Sequence, residues 1–307
     1  MRIYSIFDDF DEVSIKTIRD AGGELTIHPY GVPRPGGAQL KDILEKYDCV
    51  IIGTGQKITE DMFDKINSPR VIATASVGLD HICIPAEKSN LVTVLNTPKA
   101  NDQSVAEYTI GCALSCVKRL AEGDCLYRRG KNNKALFQKP EDLSGKTMGV
   151  VGAGNISVKI MEYAAYMGMK VICSTRNPEK HRELQQNGVV FTSLEKLASE
   201  ADVISVNLPN NDGTKGIVSS DIVSMMKDNA VFISVSRLAT VDAEALFIKA
   251  ERCRGFYVCL DIDVDSEIVK RVPSVTNVIV TPHIAGGTVE TRRRMFREVA
   301  AQIAALL

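Results

Sequence analysis

One apolar run in this chain breaks in a way that few folds accommodate. Met148-Gly149-Val150-Val151 reads as a buried strand, runs into Gly152-Ala153-Gly154, and continues as a helix through Asn155-Ile156-Ser157. Glycines at 152 and 154 permit a tight turn and close backbone approach. The amides that open the helix then face a pyrophosphate with no Cβ in the way. A GxG turn after a strand is a weak signal alone, and the third glycine of the usual fingerprint is replaced by Ser157. The surrounding pattern decides.

That pattern is a strand-helix alternation on both sides of the turn. Before it, Ile3 to Phe7, Leu25 to Ile27, Cys49 to Ile52, Val71 to Ala75 and Val92 to Leu95 are short β-branched runs separated by amphipathic segments. A helix is expected from Asp102 to about Ala121, followed by a polar, basic crossing from Arg128 to Pro140. From Lys146 six stronger strands follow: Thr147 to Val151, Lys170 to Ser174, Val203 to Asn207, Ala230 to Val235, Phe256 to Ile262 and Val278 to Val280. Alternation of this kind builds parallel sheets covered on both faces. The expected fold class is α/β, with two doubly wound domains: a Rossmann nucleotide-binding domain over 98–284 and a smaller, flavodoxin-like substrate domain over 1–97 plus 285–307. The closing helix, Val289 to Leu307, is expected to fold back on the first domain.

At 307 residues the chain has room for about two domains, each with its own core. A net charge of −1 argues against a nucleic acid or an anionic membrane as partner. The N-terminus turns acidic at Asp8-Asp9, unlike a secretory signal, and no apolar stretch approaches the roughly 20 residues that cross a bilayer. The expectation is a cytoplasmic protein. Its eight cysteines are scattered and include no CxxC pair, which fits reduced, buried thiols; Cys112 and Cys116 share a helix face but have no further ligand at metal spacing.

Three groups lie at or just beyond strand ends in the second half. Arg237 follows Phe232-Ile233-Ser234-Val235-Ser236, an acidic run spans Asp261 to Glu267, and His283 follows Val280-Thr281-Pro282. In a parallel sheet all three project toward the edge that carries the glycine turn. A cation to hold a carboxylate, a histidine to move a proton and a nucleotide to carry a hydride together describe a 2-hydroxy acid dehydrogenase.

The chain resembles the D-isomer-specific 2-hydroxyacid dehydrogenase family nearly from end to end. Ala75-Ser76-Val77-Gly78-Leu79-Asp80-His81-Ile82 is similar to its substrate-carboxylate loop, and Asn96-Thr97-Pro98 with Ser104-Val105-Ala106-Glu107 to the entry into its interdomain helix. Leu143-Ser144-Gly145-Lys146-Thr147 leads into the glycine turn in the family's manner. Ser234-Val235-Ser236-Arg237 with Val241-Asp242 resembles its arginine motif, and Thr281-Pro282-His283-Ile284-Ala285-Gly286 its histidine motif. The resemblance implies that Arg237 clamps the carboxylate and carbonyl of a 2-oxo acid while backbone amides near Ser76, Val77 and Gly78 take the other carboxylate oxygen. It implies that His283 gives a proton to the developing alkoxide, and that Gly152, Gly154, Asn155, Ile156, Thr175, Arg176, Pro209 and Asp261 line the cofactor, with Asp261 facing the nicotinamide carboxamide. It also implies a substrate cleft between the domains and a homodimer.

Three departures matter. The glutamate that the family places five residues past the strand-end aspartate is Ser266 here, with Asp263, Asp265 and Glu267 alongside. Glu267, one residue off, is the favoured orienter of His283; with Ser266 alone the imidazolium would lose its charge partner and reduction near neutral pH would weaken. At the end of the second strand, where NAD enzymes carry an acid for the ribose hydroxyls, stand Ser174, Thr175 and Arg176. A guanidinium with no carboxylate beside it favours NADP over NAD. Asn155 and Ser157 sit where weaker cofactor binding would follow, which leaves open an alternative: a catalytically weak NAD(P)-binding sensor or interaction module of the same fold.

Overall fold

A computed structural model describes residues 1–68, 70–131, 139–262 and 267–307. It divides into two compact units, Met1–Asn101 with Thr288–Leu307, and Asp102–Gly287. No helix among the described residues is long and apolar enough to cross a membrane.

The first unit alternates β1 (Arg2–Ser5), α1 (Glu12–Asp20), β2 (Glu24–Ile27), α2 (Gly37–Lys46), β3 (Cys49–Ile52), β4 (Arg70–Thr74) and β5 (Val92–Leu95). Helix α1 starts where Asp11 caps it, accepting the Ser14 N–H at 3.3 Å, with Glu12 in its first turn. The five strands pair in parallel in the order β2-β1-β3-β4-β5. Every residue of Cys49-Val50-Ile51-Ile52 is buried, as a central strand covered on both faces requires.

The second unit opens with α3 (Asp102–Val117) and α4 (Leu120–Arg128). One helix to about Ala121 was expected. Instead Arg119 takes a left-handed backbone (φ 58°) and a new helix starts after it. The physical anchor for the break is Tyr257, whose ring lies 4.4 Å from the Arg119 guanidinium carbon and whose hydroxyl donates to Glu122. A cation-aromatic contact made across the chain cannot be seen in helical periodicity.

The alternation then runs β6 (Thr147–Val151), α5 (Asn155–Tyr166), β7 (Lys170–Ser174), α6 (Arg182–Gln186), β8 (Val190–Phe191), α7 (Leu194–Glu200), β9 (Val203–Val206), α8 (Ser220–Met225), β10 (Val231–Ser234), α9 (Ala243–Arg252), β11 (Tyr257–Asp261) and β12 (Val278–Thr281). Among the described residues the sheet has seven strands rather than six, ordered β12-β11-β10-β9-β6-β7-β8, all parallel. The added strand, β8, is two residues long and joins the edge through Ile172 and Cys173, too short to carry a period of its own. Alternate side chains of β10 enter opposite cores: Phe232 packs with the α7–α9 side, Val231 and Ile233 with the α3 and α5 side. The strand order reverses between β6 and β9, and ligands of such sheets gather at the carboxyl ends beside that reversal.

The chain closes with α10 (Val289–Ala304), capped by Thr288 and packed in the first unit, where Phe296 meets Phe7 and Phe10 at ring distances of 4.9 and 4.7 Å. Among the cysteines, 49, 112, 116, 173 and 259 are buried and Cys83 is exposed.

Candidate active site

The glycine turn lies at the reversal point. Gly152 has φ +98°, and a Cβ there would stand 2.7 Å from the Asn207 carbonyl oxygen, so β6 and the end of β9 approach as closely as they do only because residue 152 has no side chain. Its N–H donates to the Ser174 carbonyl at 2.8 Å, tying the turn to β7 as well. Gly154 caps α5 with extended backbone, and a Cβ built on it meets nothing within 4 Å. Open space in front of a helix N-terminus, with the amides of Asn155, Ile156 and Ser157 lacking intrahelical acceptors, suits a pyrophosphate. The residues fit a dinucleotide. Ser157 is fully buried and its Oγ has no hydrogen-bond partner among the described residues.

At the end of β7, Ser174 and Thr175 are half-buried and Arg176 is exposed. The guanidinium does not trail into solvent: Nη2 donates to the Gly213 carbonyl at 3.3 Å. A Cβ on Gly213 would come within 2.5 Å of that nitrogen. The facing loop is itself built around Thr214, whose buried hydroxyl accepts the Asn211 N–H at 3.0 Å and donates to the Pro209 carbonyl at 2.5 Å. Arg176 thus spans from the end of β7 to the loop after β9, across the positions where an adenosine ribose is held in sheets of this topology. Pro209, in that loop, is exposed.

His283 occupies the loop after β12 and is exposed. Its backbone is left-handed, φ 53°, a conformation that costs a residue with a Cβ about 1 kcal/mol or more and persists only where surroundings impose it. Here they do. The His283 N–H returns to the Thr281 carbonyl at 3.0 Å, and the next two N–H groups, of Ile284 and Ala285, both donate to Asp261 at 2.8 Å. Asp261 ends β11 directly opposite Thr281 in register, and the Thr281 hydroxyl donates to the same carboxylate at 2.6 Å. Asp261 is 5% exposed. Three donors fill most of the roughly four acceptor positions of a carboxylate. In the structure Asp261 is a buried carboxylate that holds the loop carrying His283.

Arg237 follows β10, half-buried, and its carbonyl accepts both the N–H and the hydroxyl of Thr240, at 3.0 and 2.8 Å. Beside it Ser236 is buried, donates to the Val206 carbonyl at 3.0 Å and accepts the Leu208 N–H at 2.7 Å, which locks the ends of β9 and β10 together. Strands β10 and β12 flank β11, so the chain exits leading to Arg237 and His283 are two strand spacings apart, about 10 Å, on one sheet edge. Glu267 sits in a short turn with its side chain 82% exposed and its carboxylate on Lys270 at 2.7 and 2.9 Å. Asp263, Asp265 and Ser266 lie outside the described residues.

In the first unit, Ser76, Val77 and Gly78 follow β4. The Ser76 carbonyl accepts the Thr97 N–H (2.9 Å) and hydroxyl (3.1 Å), the Val77 carbonyl accepts Asn96 Nδ2 (2.9 Å), and the Gly78 carbonyl accepts Ser76 Oγ (2.9 Å). With all three carbonyls engaged, the loop backbone is fixed. Thr74 extends the network by bonding both Ser76 Oγ (2.8 Å) and His81 Nε2 (3.0 Å).

Residues 110–285 match the family model described as the D-isomer specific 2-hydroxyacid dehydrogenase, NAD binding domain. The hydroxypyruvate reductase of Thermotoga maritima is 32% identical over 270 residues, covering 86% of each chain. Among solved structures, D-lactate dehydrogenase from Aquifex aeolicus, complexed with NAD and lactic acid, superposes with a TM-score of 0.82 at 27% identity, over 100% of this chain and 95% of that one. An acyclic imino acid reductase in complex with NADPH and D-Arg gives 0.81 at 25% identity, over 97% and 94%.

Proposed function

Because this chain belongs to the D-isomer-specific 2-hydroxyacid dehydrogenase family, we propose that it is a reductase of a small 2-oxo acid, of the size of glyoxylate or hydroxypyruvate, that prefers NADPH to NADH. What supports the reading is one sheet edge that carries a glycine-lined turn, a guanidinium and an imidazole in a constrained backbone.

Gly152, Gly154, Asn155 and Ile156 hold the pyrophosphate, and Thr175, Arg176 and the loop from Pro209 hold the adenosine ribose. When bound, the nicotinamide supplies a hydride to the carbonyl carbon or takes one back. Arg237 presents a planar fork to the carboxylate and carbonyl oxygens of the 2-oxo acid, which fixes the face exposed to reduction and draws charge toward the oxygen. The Ser76-Val77-Gly78 loop binds the other carboxylate oxygen through backbone amides. His283, as imidazolium, donates its proton to the carbonyl oxygen as negative charge builds there; in oxidation the neutral ring removes the hydroxyl proton. Glu267 is the orienter of His283 in this reading. It must first leave Lys270, a change that costs about 0.5 kcal/mol for an exposed pair.

For the NADPH preference, the supporting observation is Arg176 anchored on Gly213 with no carboxylate at the end of β7. The relatives themselves include an NAD complex and an NADPH complex. A homodimer and a cytoplasmic location belong to the same reading; Leu120 and Tyr127 of α4, 61% and 69% exposed, are apolar side chains a second copy would cover. Light scattering that returns the monomer mass contradicts the dimer.

Purified protein mixed with NADPH or NADH and a panel of 2-oxo acids, with absorbance of the reduced nicotinamide followed over time, tests the reading. Turnover on one or more acids, faster with NADPH, is expected. Tight cofactor binding with no turnover on any acid overturns it in favour of a sensor.

A further inference from the structure

We propose that Tyr108, on α3, is a positioning residue for His283, acting through Thr281 and Asp261; this rests on the assignment of His283 as the proton donor. The Tyr108 phenol lies 2.6 Å from Thr281 Oγ1. Thr281 has one hydroxyl proton, and it goes to Asp261 Oδ1 at 2.6 Å. An ionised carboxylate only accepts, so the phenol is the donor in the first bond and the chain runs one way, from Tyr108 to Thr281 to Asp261. From Asp261 it reaches the N–H groups of Ile284 and Ala285, the two residues that follow the left-handed His283.

Helix α3 approaches the loop at a second point. Ser104, buried and one helical turn before Tyr108, donates its hydroxyl to the Ala285 carbonyl at 2.6 Å. Two hydroxyls on one helix face therefore hold the loop, one directly and one through the carboxylate. The contact is made inside a single compact unit, Asp102–Gly287. Burial keeps the phenol protonated, its pKa raised chiefly by desolvation, so the donor does not titrate away in ordinary buffers. The Cys112 thiol, one turn further along α3, also borders the phenol, and beyond it the Cys116 sulfur lies 3.4 Å from that of Cys259 on β11. Removing the phenolic oxygen would leave the Thr281 hydroxyl free to rotate and Asp261 free to follow it. His283 would then lose the restraint that holds its backbone at positive φ.

Four variants test this: Tyr108→Phe, Thr281→Val, Thr281→Ser and the double variant Tyr108→Phe/Thr281→Val, each assayed for reduction kinetics and, by fluorescence titration, for NADPH affinity. Misplacement of a proton donor by a fraction of an ångström lowers kcat by about tenfold or more. Such a fall is expected for Tyr108→Phe and for Thr281→Val, with cofactor affinity unchanged within about twofold and the double variant no worse than Thr281→Val alone, because both substitutions cut one chain. Thr281→Ser, which keeps the hydroxyl, is expected to recover most of kcat. Additive losses, an equal loss of NADPH affinity, or a Tyr108→Phe enzyme with full kcat overturns the proposal. Should Tyr108→Phe fail to fold, the contrast between Thr281→Val and Thr281→Ser decides alone: equal kcat in those two variants overturns it. His283→Ala separates the premise from the proposal, since an active His283→Ala enzyme removes the assignment of His283, whereas an inactive one beside a fully active Tyr108→Phe removes only the relay.

Discussion

Asp261 accepts the backbone N–H of Ala285 at 2.8 Å, from the end of one strand to the loop that leaves its neighbour. The carboxylate needs both oxygens, because Ile284 N–H and the Thr281 hydroxyl occupy the other. Asp261→Asn keeps the shape but turns one oxygen into an NH2 that faces a donor. The expected result is a loss of about 1–3 kcal/mol in stability, read from the urea midpoint, together with a fall in kcat at unchanged NADPH affinity. A variant with wild-type kcat contradicts the role given to this residue.

Cofactor preference turns on Arg176 and the loop it reaches. Removing a guanidinium that binds a phosphate costs about 1.5–3 kcal/mol, or roughly ten- to a hundredfold in affinity. Arg176→Ala is expected to weaken NADPH by that factor and NADH hardly at all. Gly213→Ala, which would place a methyl 2.5 Å from Arg176 Nη2, is expected to weaken NADPH as well by displacing the guanidinium. Equal losses for both cofactors, measured by fluorescence titration, contradict the NADPH assignment.

Away from the site, Asp202 fastens the first strand of the glycine-turn sheet. Burial works against its ionised form, but the Lys227 ammonium at 2.8 Å and the Thr147 N–H at 2.8 Å prevail and hold its pKa below the ordinary 3.8. A carboxyl depressed in the folded state stabilises at pH above its unfolded value and loses that contribution as pH falls through the folded one. Asp202→Asn is therefore expected to cost about 1 kcal/mol at neutral pH, a figure already reduced for partial exposure, and progressively less as the pH drops below 3.8. Urea titrations at pH 7 and pH 3 check it; a constant difference between variant and wild type contradicts it.

Glu267 pairs with Lys270 in a solvent-exposed turn. In the reading above it leaves that pair to hold the His283 ring, so Glu267→Gln is expected to lower kcat for reduction about tenfold with NADPH affinity unchanged, whereas Lys270→Ala keeps wild-type kcat. A Glu267→Gln enzyme with wild-type kcat removes the assignment and leaves the neighbouring acids to be tested in turn.

The parallel-sheet architecture was legible because both signals are local: β-branched runs of strand length, and a glycine pair where the chain must turn without a Cβ. Gly152 bears this out in detail, since its positive φ and its 2.7 Å clearance to Asn207 leave no room for a side chain. The motifs around Arg237 and His283 were legible as motifs. Their supports were not. That Asp261 faces inward onto Thr281, Ile284 and Ala285 depends on the register of β11 against β12, and that Tyr108 reaches Thr281 depends on how α3 packs across a chain separation of 173 residues. The break at Arg119 has the same origin, a ring contact with Tyr257. Contacts of this range leave no periodicity to read. A tyrosine one turn after a serine on α3, Ser104 and Tyr108, is the one trace the sequence carries of the hydroxyl pair.

The central claim is that His283 moves the proton in a nicotinamide-dependent reduction of a 2-oxo acid. Single-turnover absorbance of NADPH mixed with saturating 2-oxo acid, in wild type and His283→Ala, tests it most directly, with NADPH affinity measured on both. The account predicts a loss of about a hundredfold or more in the rate with affinity preserved. A His283→Ala enzyme that oxidises NADPH at the wild-type rate contradicts it.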